Sequence, residues 1–321
     1  MSMKKFCAVI GDINIDIITP PFEFPDEIGE FSIVLDNFLI SLGGNAANAA
    51  ASLASLRCPH LFFGSIGDCA ISNWIKNKLN ELKVSYSLYE IKNQSAGITF
   101  AMTFTNGKRQ FVATLGTNSL FSIEHIDKNK LKNADLLYRA GFWYTPKLIG
   151  NPTIELMKLM IDNNKLTLLD VGWDPEGFNS KNIEILLNTL NYTNIFFANE
   201  KEIEAITKKN NLEEALKYLI EIPNQIINPI IVVHQGSKGS LIYTKSEKIK
   251  IQTHKIIPIN PTGSGDIYNA AFIYGLMQNW SLKSCGVFAD AAACVHLISN
   301  DPLKIYPNLE QINSFQKQNS L

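Results

Sequence analysis

Between residues 131 and 234 the chain alternates short apolar runs of strand length with longer segments whose apolar residues recur at helical spacing, and few folds satisfy that order. Strands are expected at 136–138, 166–170, 195–198 and 230–234, and helices near 153–161, 183–190, 201–206 and 212–220. Runs that are apolar on both faces cannot lie against water, and parallel neighbours need a crossover, which the intervening helices supply. The order predicts an α/β fold with a doubly wound, mostly parallel central sheet and helices on both faces. In such sheets a ligand sits beyond the carboxyl ends of the strands, where Asp170, Asn199, Gly236 and the stretch 260–266 fall.

The first third of the chain is organised differently. A buried strand at 6–10 leads into Gly11-Asp12-Ile13-Asn14-Ile15-Asp16-Ile17-Ile18, whose alternation puts Asp12, Asn14 and Asp16 on one face. Three short polar side chains in a row could hold several hydroxyls, and a half-solvated edge strand fits the same pattern. Pro20, Pro21 and Pro25 break the chain before a second extended segment at 31–40. Gly43-Gly44 then turns into a small-residue helix with Asn45 and Asn48 three apart on one face, which suits either a polyol grip or close packing through alanines. A strand and turn follow at 62–68 and a helix at 74–82. Residues 96–105 and 108–115, joined through Asn106-Gly107, read as a β-hairpin with Phe100, Met102 and Phe104 on one face. Inserted among βα units, that hairpin suggests a small sheet covering a site, although a plain edge hairpin has the same pattern. The expected division is an α/β core of 1–13, 42–95 and 118–321 with a β lid of 14–41 and 96–117.

Composition narrows the partners. Basic and acidic residues number 29 and 30, a net charge of -1, so there is no long-range attraction to nucleic acid or an acidic membrane, and a small molecule is the expected partner. Five scattered cysteines without a Cys-x-x-Cys pair read as buried reduced thiols rather than a disulfide framework or zinc site. Lys4-Lys5 and the apolar run after them stop at Gly11-Asp12, too short for a signal peptide, and no run approaches a membrane span. A soluble cytoplasmic protein is expected.

The chemistry concentrates at 259–277. Ile256-Ile257-Pro258-Ile259 reads as a strand end, and the apolar pattern after Asp266 (Ile267, Ala270, Ala271, Tyr274, Met277) has Asp266 opening a helix. Gly263 and Gly265 let the backbone approach a ligand, and the free N–H groups of a first helical turn form an anion cradle. A carboxylate inside such a cradle suits a general base that takes a proton from a hydroxyl attacking a phosphoryl group; it could equally cap its helix. Gly-x-x-x-x-Gly-Lys-Ser/Thr is absent and the dinucleotide fingerprint fails, with Tyr268 where a third glycine belongs. No His-Glu-x-x-His or dense ligand cluster points to a transition metal.

These residues resemble the ribokinase-like (PfkB) family of carbohydrate kinases along almost the whole chain. Gly43-Gly44-x-x-x-Asn48-x-Ala50-x-x-Leu53-Ala54-x-Leu56 resembles its N-terminal signature, and Pro261-Thr262-Gly263-Ser264-Gly265-Asp266 with Asn269-Ala270-x-Phe272 its C-terminal one. Asn199-Glu200-Lys201-Glu202 is similar to the family's Asn-x-x-Glu motif. The resemblance implies ATP-dependent phosphorylation of a hydroxymethyl group, with Asp266 as base and the amides of Gly263, Ser264 and Gly265 on the transferring phosphate. It implies that Asn199 and Glu202 organise Mg²⁺, that Asn14, Asp16, Gly44 and Asn48 hold the sugar, and that Thr262, Gly236, Ala289 and Ala293 lie along the nucleotide. Asn260 stands where family members usually carry Asp, keeping an oxygen but losing the charge of a monovalent-cation site, so turnover is expected to be nearly independent of potassium. The family's usual Gly-Ala is missing around Ser299-Asn300-Asp301-Pro302. A free sugar is the expected substrate and a nucleoside the alternative, with Phe100, Met102 and Phe104 able to stack on a base. A non-catalytic sugar-binding regulator is the reading from another class, opposed by the presence of Asp266 and Glu202. A homodimer through the β lid is the expected assembly.

Overall fold

Residues 7–10 are buried without alternation because helices cover both faces of the strand they form: Cys7 and Val9 enter one core, Ala8 and Ile10 the other. The computed structural model describes residues 5–23, 35–106, 108–222, 225–259, 262–299 and 306–319. In chain order its strands are β1 (Cys7–Ile10), β2 (Asn14–Ile18), β3 (Leu39–Gly43), β4 (His60–Ile66), β5 (Tyr86–Glu90), β6 (Gly97–Thr103), β7 (Arg109–Thr114), β8 (Leu136–Arg139), β9 (Leu166–Asp170), β10 (Ile195–Asn199), β11 (Ile230–His234), β12 (Ser240–Tyr243) and β13 (Lys248–Ile251). The helices are α1 (Asn45–Ser55), α2 (Ala70–Glu81), α3 (Lys128–Lys132), α4 (Asn151–Ile161), α5 (Ser180–Leu190), α6 (Glu200–Thr207), α7 (Leu212–Glu221), α8 (Ser264–Met277), α9 (Leu282–Leu297) and α10 (Leu309–Gln318).

Among the described residues nine strands form the central sheet in the order β13-β12-β11-β10-β9-β8-β1-β4-β5, parallel except where β12 pairs antiparallel with β11 and β13. Four strands form a separate sheet, β3-β2-β6-β7. The chain crosses from one sheet to the other within Gly11–Ile13, and Asn118 holds the crossing. Its Oδ1 accepts from the Ile13 N–H at 3.1 Å and its Nδ2 donates to the Ile13 carbonyl at 2.8 Å, replacing the strand neighbour that this residue lacks.

The expected βα alternation is present, and the hairpin lies outside the central sheet as β6 and β7. Three expectations are corrected. The extended segment placed at 31–40 is seen as β3 at Leu39–Gly43, so Ser41, Leu42 and Gly43 pair with Asp16, Ile15 and Asn14 rather than forming a turn, and β3 runs past residue 41, where the expected lid segment ended. The strand end expected at 256–259 is not formed: residues 252–258 are irregular, Pro258 has no N–H to donate, and Ile257 is 87% exposed. Helix α8 begins at Ser264, not Asp266, because Gly263 takes the N-cap in the left-handed region (φ 86°). Pro25, Phe31 to Val34, Gly107, Asn260, Pro261 and Asn300 to Pro302 lie outside the described residues.

Gly141, on the loop after β8, has φ +60°, and a Cβ there would stand 1.9 Å from Asp12 Oδ1. Gly141→Ala is therefore expected to lower stability by about 2 kcal/mol or more, through left-handed strain and displacement of Asp12, measured as a drop in the denaturation midpoint. A midpoint unchanged from wild type would contradict the tight packing of this loop.

Candidate active site

A cavity of about 390 Å³ opens where the carboxyl ends of β8, β9 and β10, the inner face of the small sheet and the start of α8 converge. Of the residues expected from sequence, Asn14, Asp16, Gly44, Asn48, Glu202, Thr262, Gly263, Gly265 and Asp266 line it. Ser264 lines a smaller adjoining cavity of about 110 Å³ together with Gly236, Ala293 and Gly265, so Gly265 borders both. A third cavity of about 580 Å³ continues from it past Ser240 and Asp290. Ala289 is fully buried and lines none of them; its neighbour Asp290 takes the wall position, because successive helical residues point about 100° apart.

On the small-sheet side of the main cavity, Asn14 Nδ2 donates to Asp16 Oδ1 (2.7 Å) and Thr99 Oγ1 (2.9 Å), fixing both acceptors on the inner face of that sheet. From α1, Asn48 Nδ2 donates to Asp266 Oδ2 at 2.8 Å, so Asn48 touches the proposed base as well as the cavity. Tyr306 in turn donates its hydroxyl to Asn48 Oδ1 at 3.0 Å. The residues expected to stack on a base do not line the cavity. Pairing of β6 sets Phe100 opposite Ile17 and Val112, so Thr99 takes the cavity side, and Phe104 packs edge-on against Phe22 at 5.3 Å. Phe111 and Ala113 of β7 face the cavity instead.

Asn199 and Glu202 form a capping box at the start of α6: the Asn199 N–H donates to Glu202 Oε2, and the Glu202 N–H to Asn199 Oδ1, both at 2.9 Å. Asn199 orients Glu202 without lining the cavity itself. Burial, and then the charge of Asp170, push the Glu202 carboxyl up to about 7, and burial pushes Asp170 up to about 6. Asp12 is raised too, by burial opposed by the backbone N–H groups of Ala46 and Asn45 and by the charge of Arg139.

Several contributors were not foreseen. Arg139 is completely buried, and burial lowers its pKa to about 10. Its guanidinium donates to the carbonyls of Ile10, Ala140 and Phe142 and to Thr145 Oγ1, gathering the loop that brings Tyr144 to the cavity. An arginine directly after the apolar run Leu136-Leu137-Tyr138 and before Ala140 was the visible signal. Asn269, one turn beyond Asp266 on α8, donates to Tyr138 Oη (3.0 Å) and Asp170 Oδ2 (2.5 Å) and bonds His234 Nε2 (3.0 Å). That network ties α8 to three strand ends, and burial lowers the His234 pKa to about 4 against the opposing effect of its bond to Asn269.

A carboxylate and a helix N-terminus thus meet at the junction of a polar cavity and a second cleft, an arrangement suited to phosphoryl transfer from a bound nucleotide to a hydroxyl. The family model "pfkB family carbohydrate kinase" matches residues 4–300. The chain belongs to this family. As a pfkB-family carbohydrate kinase it is 26% identical over 333 residues to 5-dehydro-2-deoxygluconokinase of Clostridium beijerinckii, covering 98% of this chain and 94% of the relative. It is 35% identical over 299 residues to a nucleoside kinase of Methanocaldococcus jannaschii, covering 91% and 89%. The E. coli protein described as ribokinase II, solved with ATP and Mg²⁺, has the same fold: TM-score 0.83 at 18% identity, over 99% of this chain and 100% of that one. Among the described residues, no helix of this pfkB-family kinase is long and apolar enough to cross a membrane.

Asp290 supplies a test of the second cleft. Burial pushes its carboxyl up to about 6, opposed by the Thr253 hydroxyl and the charge of His254. A raised acid favours folding in its protonated form, so its contribution is complete below the ordinary carboxylate range and is lost as pH rises through about 6. Asp290→Asn is expected to melt at a higher temperature than wild type near about pH 8, the gap closing as pH falls toward about 4. Parallel melting curves of wild type and variant across that range would show that the carboxyl is not raised.

Proposed function

We propose that this carbohydrate kinase transfers the γ-phosphoryl group of ATP to a hydroxymethyl group of a small neutral sugar. The observation that carries the reading is Asp266, in the first turn of α8, lining the polar cavity while the adjacent Gly265 borders the nucleotide cleft as well. The substrate hydroxyl gives its proton to Asp266 as its oxygen bonds to phosphorus and the bond to the ADP oxygen breaks. The N–H groups of Gly263, Ser264 and Gly265 face the transferring oxygens, and Thr262, Gly236 and Ala293 flank the nucleotide. Asp170 and Glu202, oxygen donors on the cavity wall, fit Mg²⁺, with Asn199 orienting Glu202. Bound there, the cation would neutralise charge on the phosphates.

The walls favour a polyol. Asn14, Asp16, Asn45 and Asn48 present amides and a carboxylate, while Asp12, Asp170, Glu202 and Asp266 add acidic groups that disfavour a carboxylate on the substrate. Phe111 on the cavity wall favours the second reading, a nucleoside whose base lies on that ring. ADP release measured across neutral sugars, sugar acids and nucleosides is expected to be fastest with a neutral sugar; a nucleoside in first place would select the second reading. Asp266→Asn is expected to lower turnover by roughly 10²–10⁴ with little change in nucleotide binding. Near-normal turnover would remove the base, and absence of ADP release across the whole panel would favour a regulator.

The small sheet is proposed to cover the sugar and to carry a dimer contact. Ile40, Ile17, Phe100 and Val112 are cross-strand neighbours on its outer face, where Ile40, Phe100 and Val112 are 43%, 45% and 53% exposed. Val112→Lys is expected to shift a dimer to monomer in light scattering; wild-type protein that is monomeric at high concentration would refute the contact.

A further inference from the structure

Asp266 is held by a side chain whose own orientation is ambiguous. The carboxamide of Asn48 presents an N–H₂ group on one side and an oxygen on the other, and rotation by half a turn would exchange them with almost no change in shape. In one orientation Asp266 accepts a hydrogen bond, which favours the ionised form a base must have. In the other, the amide oxygen faces the carboxylate and disfavours that form.

The structure assigns the choice to Tyr306. Its hydroxyl meets Asn48 Oδ1 at 3.0 Å, and Asn48 Nδ2 meets Asp266 Oδ2 at 2.8 Å. All three residues are buried, 9%, 5% and 7% exposed. Burial, followed by the charges of Asp266 and Asp16, pushes the Tyr306 hydroxyl well above its usual range, so it keeps its proton and can donate to Asn48. A donating hydroxyl requires the amide oxygen on its side and therefore sends the N–H₂ toward Asp266. The anchor of Tyr306 is independent of its hydroxyl: its backbone carbonyl accepts from Ser55 Oγ at 2.6 Å at the end of α1. The segment before α10, far from the signature motifs in sequence, thus reaches the reaction centre through one phenol. We propose that Tyr306 is a positioning residue of the phosphoryl-transfer site, acting through Asn48 on the ionisation and direction of Asp266. This rests on Asp266 being the base.

Tyr306→Phe keeps the ring and the backbone anchor and removes only the hydroxyl. Turnover is expected to fall about threefold to tenfold, the kinetic equivalent of one net hydrogen bond. The acid limb of kcat/KM against pH is expected to move up by about half a unit to one unit, because an amide free to turn no longer favours the carboxylate. Tyr306→Phe leaves in place Asp16, whose charge acts on Tyr306, and Tyr138, on which the charges of Asp170 and Asp266 act. In an Asn48→Leu background the same change is expected to have no further effect, since its route is gone. An acid limb that stays in place, with or without a lower melting temperature, overturns the proposal and leaves Tyr306 a packing residue. So do losses that multiply in the double variant. Normal turnover of Asp266→Asn would instead remove the base itself, a result the Tyr306 variant cannot mimic.

Discussion

Two segments 218 residues apart in sequence meet in the hydrogen bond from Asn48 to Asp266, and much of the molecule serves to make that meeting possible. Helices α1 and α8 lie against the same face of the central sheet, their alanines sharing one core: Ala46, Ala49 and Ala50 from one, Ala270 and Ala271 from the other. Small side chains are what allow two helices to bring polar groups on their first turns into contact. Larger residues on those faces would separate the amide from the carboxylate by more than a hydrogen bond can span. The small-residue composition of both helices is therefore a requirement of the site's geometry as much as of core packing.

The cavity concentrates acidic groups where few folded proteins tolerate them. Burial raises the pKa of Asp12, Asp170 and Glu202, so the fold holds them against their preference for solvent. Each is restrained by a different device: backbone N–H groups for Asp12, Asn269 and Tyr138 for Asp170, a capping box for Glu202. A cation beside Asp170 and Glu202, or hydroxyls beside Asp12 and Asp16, would relieve the strain that folding imposes. Binding and electrostatic relief are in this way the same event at this site.

The parallel sheet was legible because strands covered on both faces must be apolar throughout, as Cys7–Ile10 is, and because crossover helices show a clear period. The cavity lining contributed by the start of α8 was legible for a similar reason: it comes from one contiguous motif, Thr262 to Asp266, whose glycines and carboxylate have few other uses. The β12–β13 hairpin passed unnoticed although Ser240-Leu-Ile-Tyr and Lys248-Ile-Lys-Ile flank a polar turn, since short edge strands at the antiparallel end of a parallel sheet carry a weak pattern. Tyr306 and Asn118 were invisible because they act through contacts to residues more than a hundred positions away, which no local periodicity records. The aromatic face of β6 misled for a definite reason: alternation shows which residues share a face, but not which face meets the cavity.

The way the two sheets are joined decides how independent they can be. β1 ends at Ile10 and β2 begins at Asn14, so only Gly11, Asp12 and Ile13 separate the central sheet from the small one. Ile13 is pinned on both backbone groups by Asn118, and Asp12 Oδ1 accepts from the Ala46 N–H at 3.1 Å at the start of α1. A joint fastened at two of its three residues transmits position instead of absorbing it. Asn14 and Asp16 on the small sheet are consequently placed relative to Asp266 through Asp12 and α1, not through the longer loops. The polar row of β2 and Asp266 are parts of one frame, and the register of β2, more than the closure of the hairpin, sets the shape of the cavity between them.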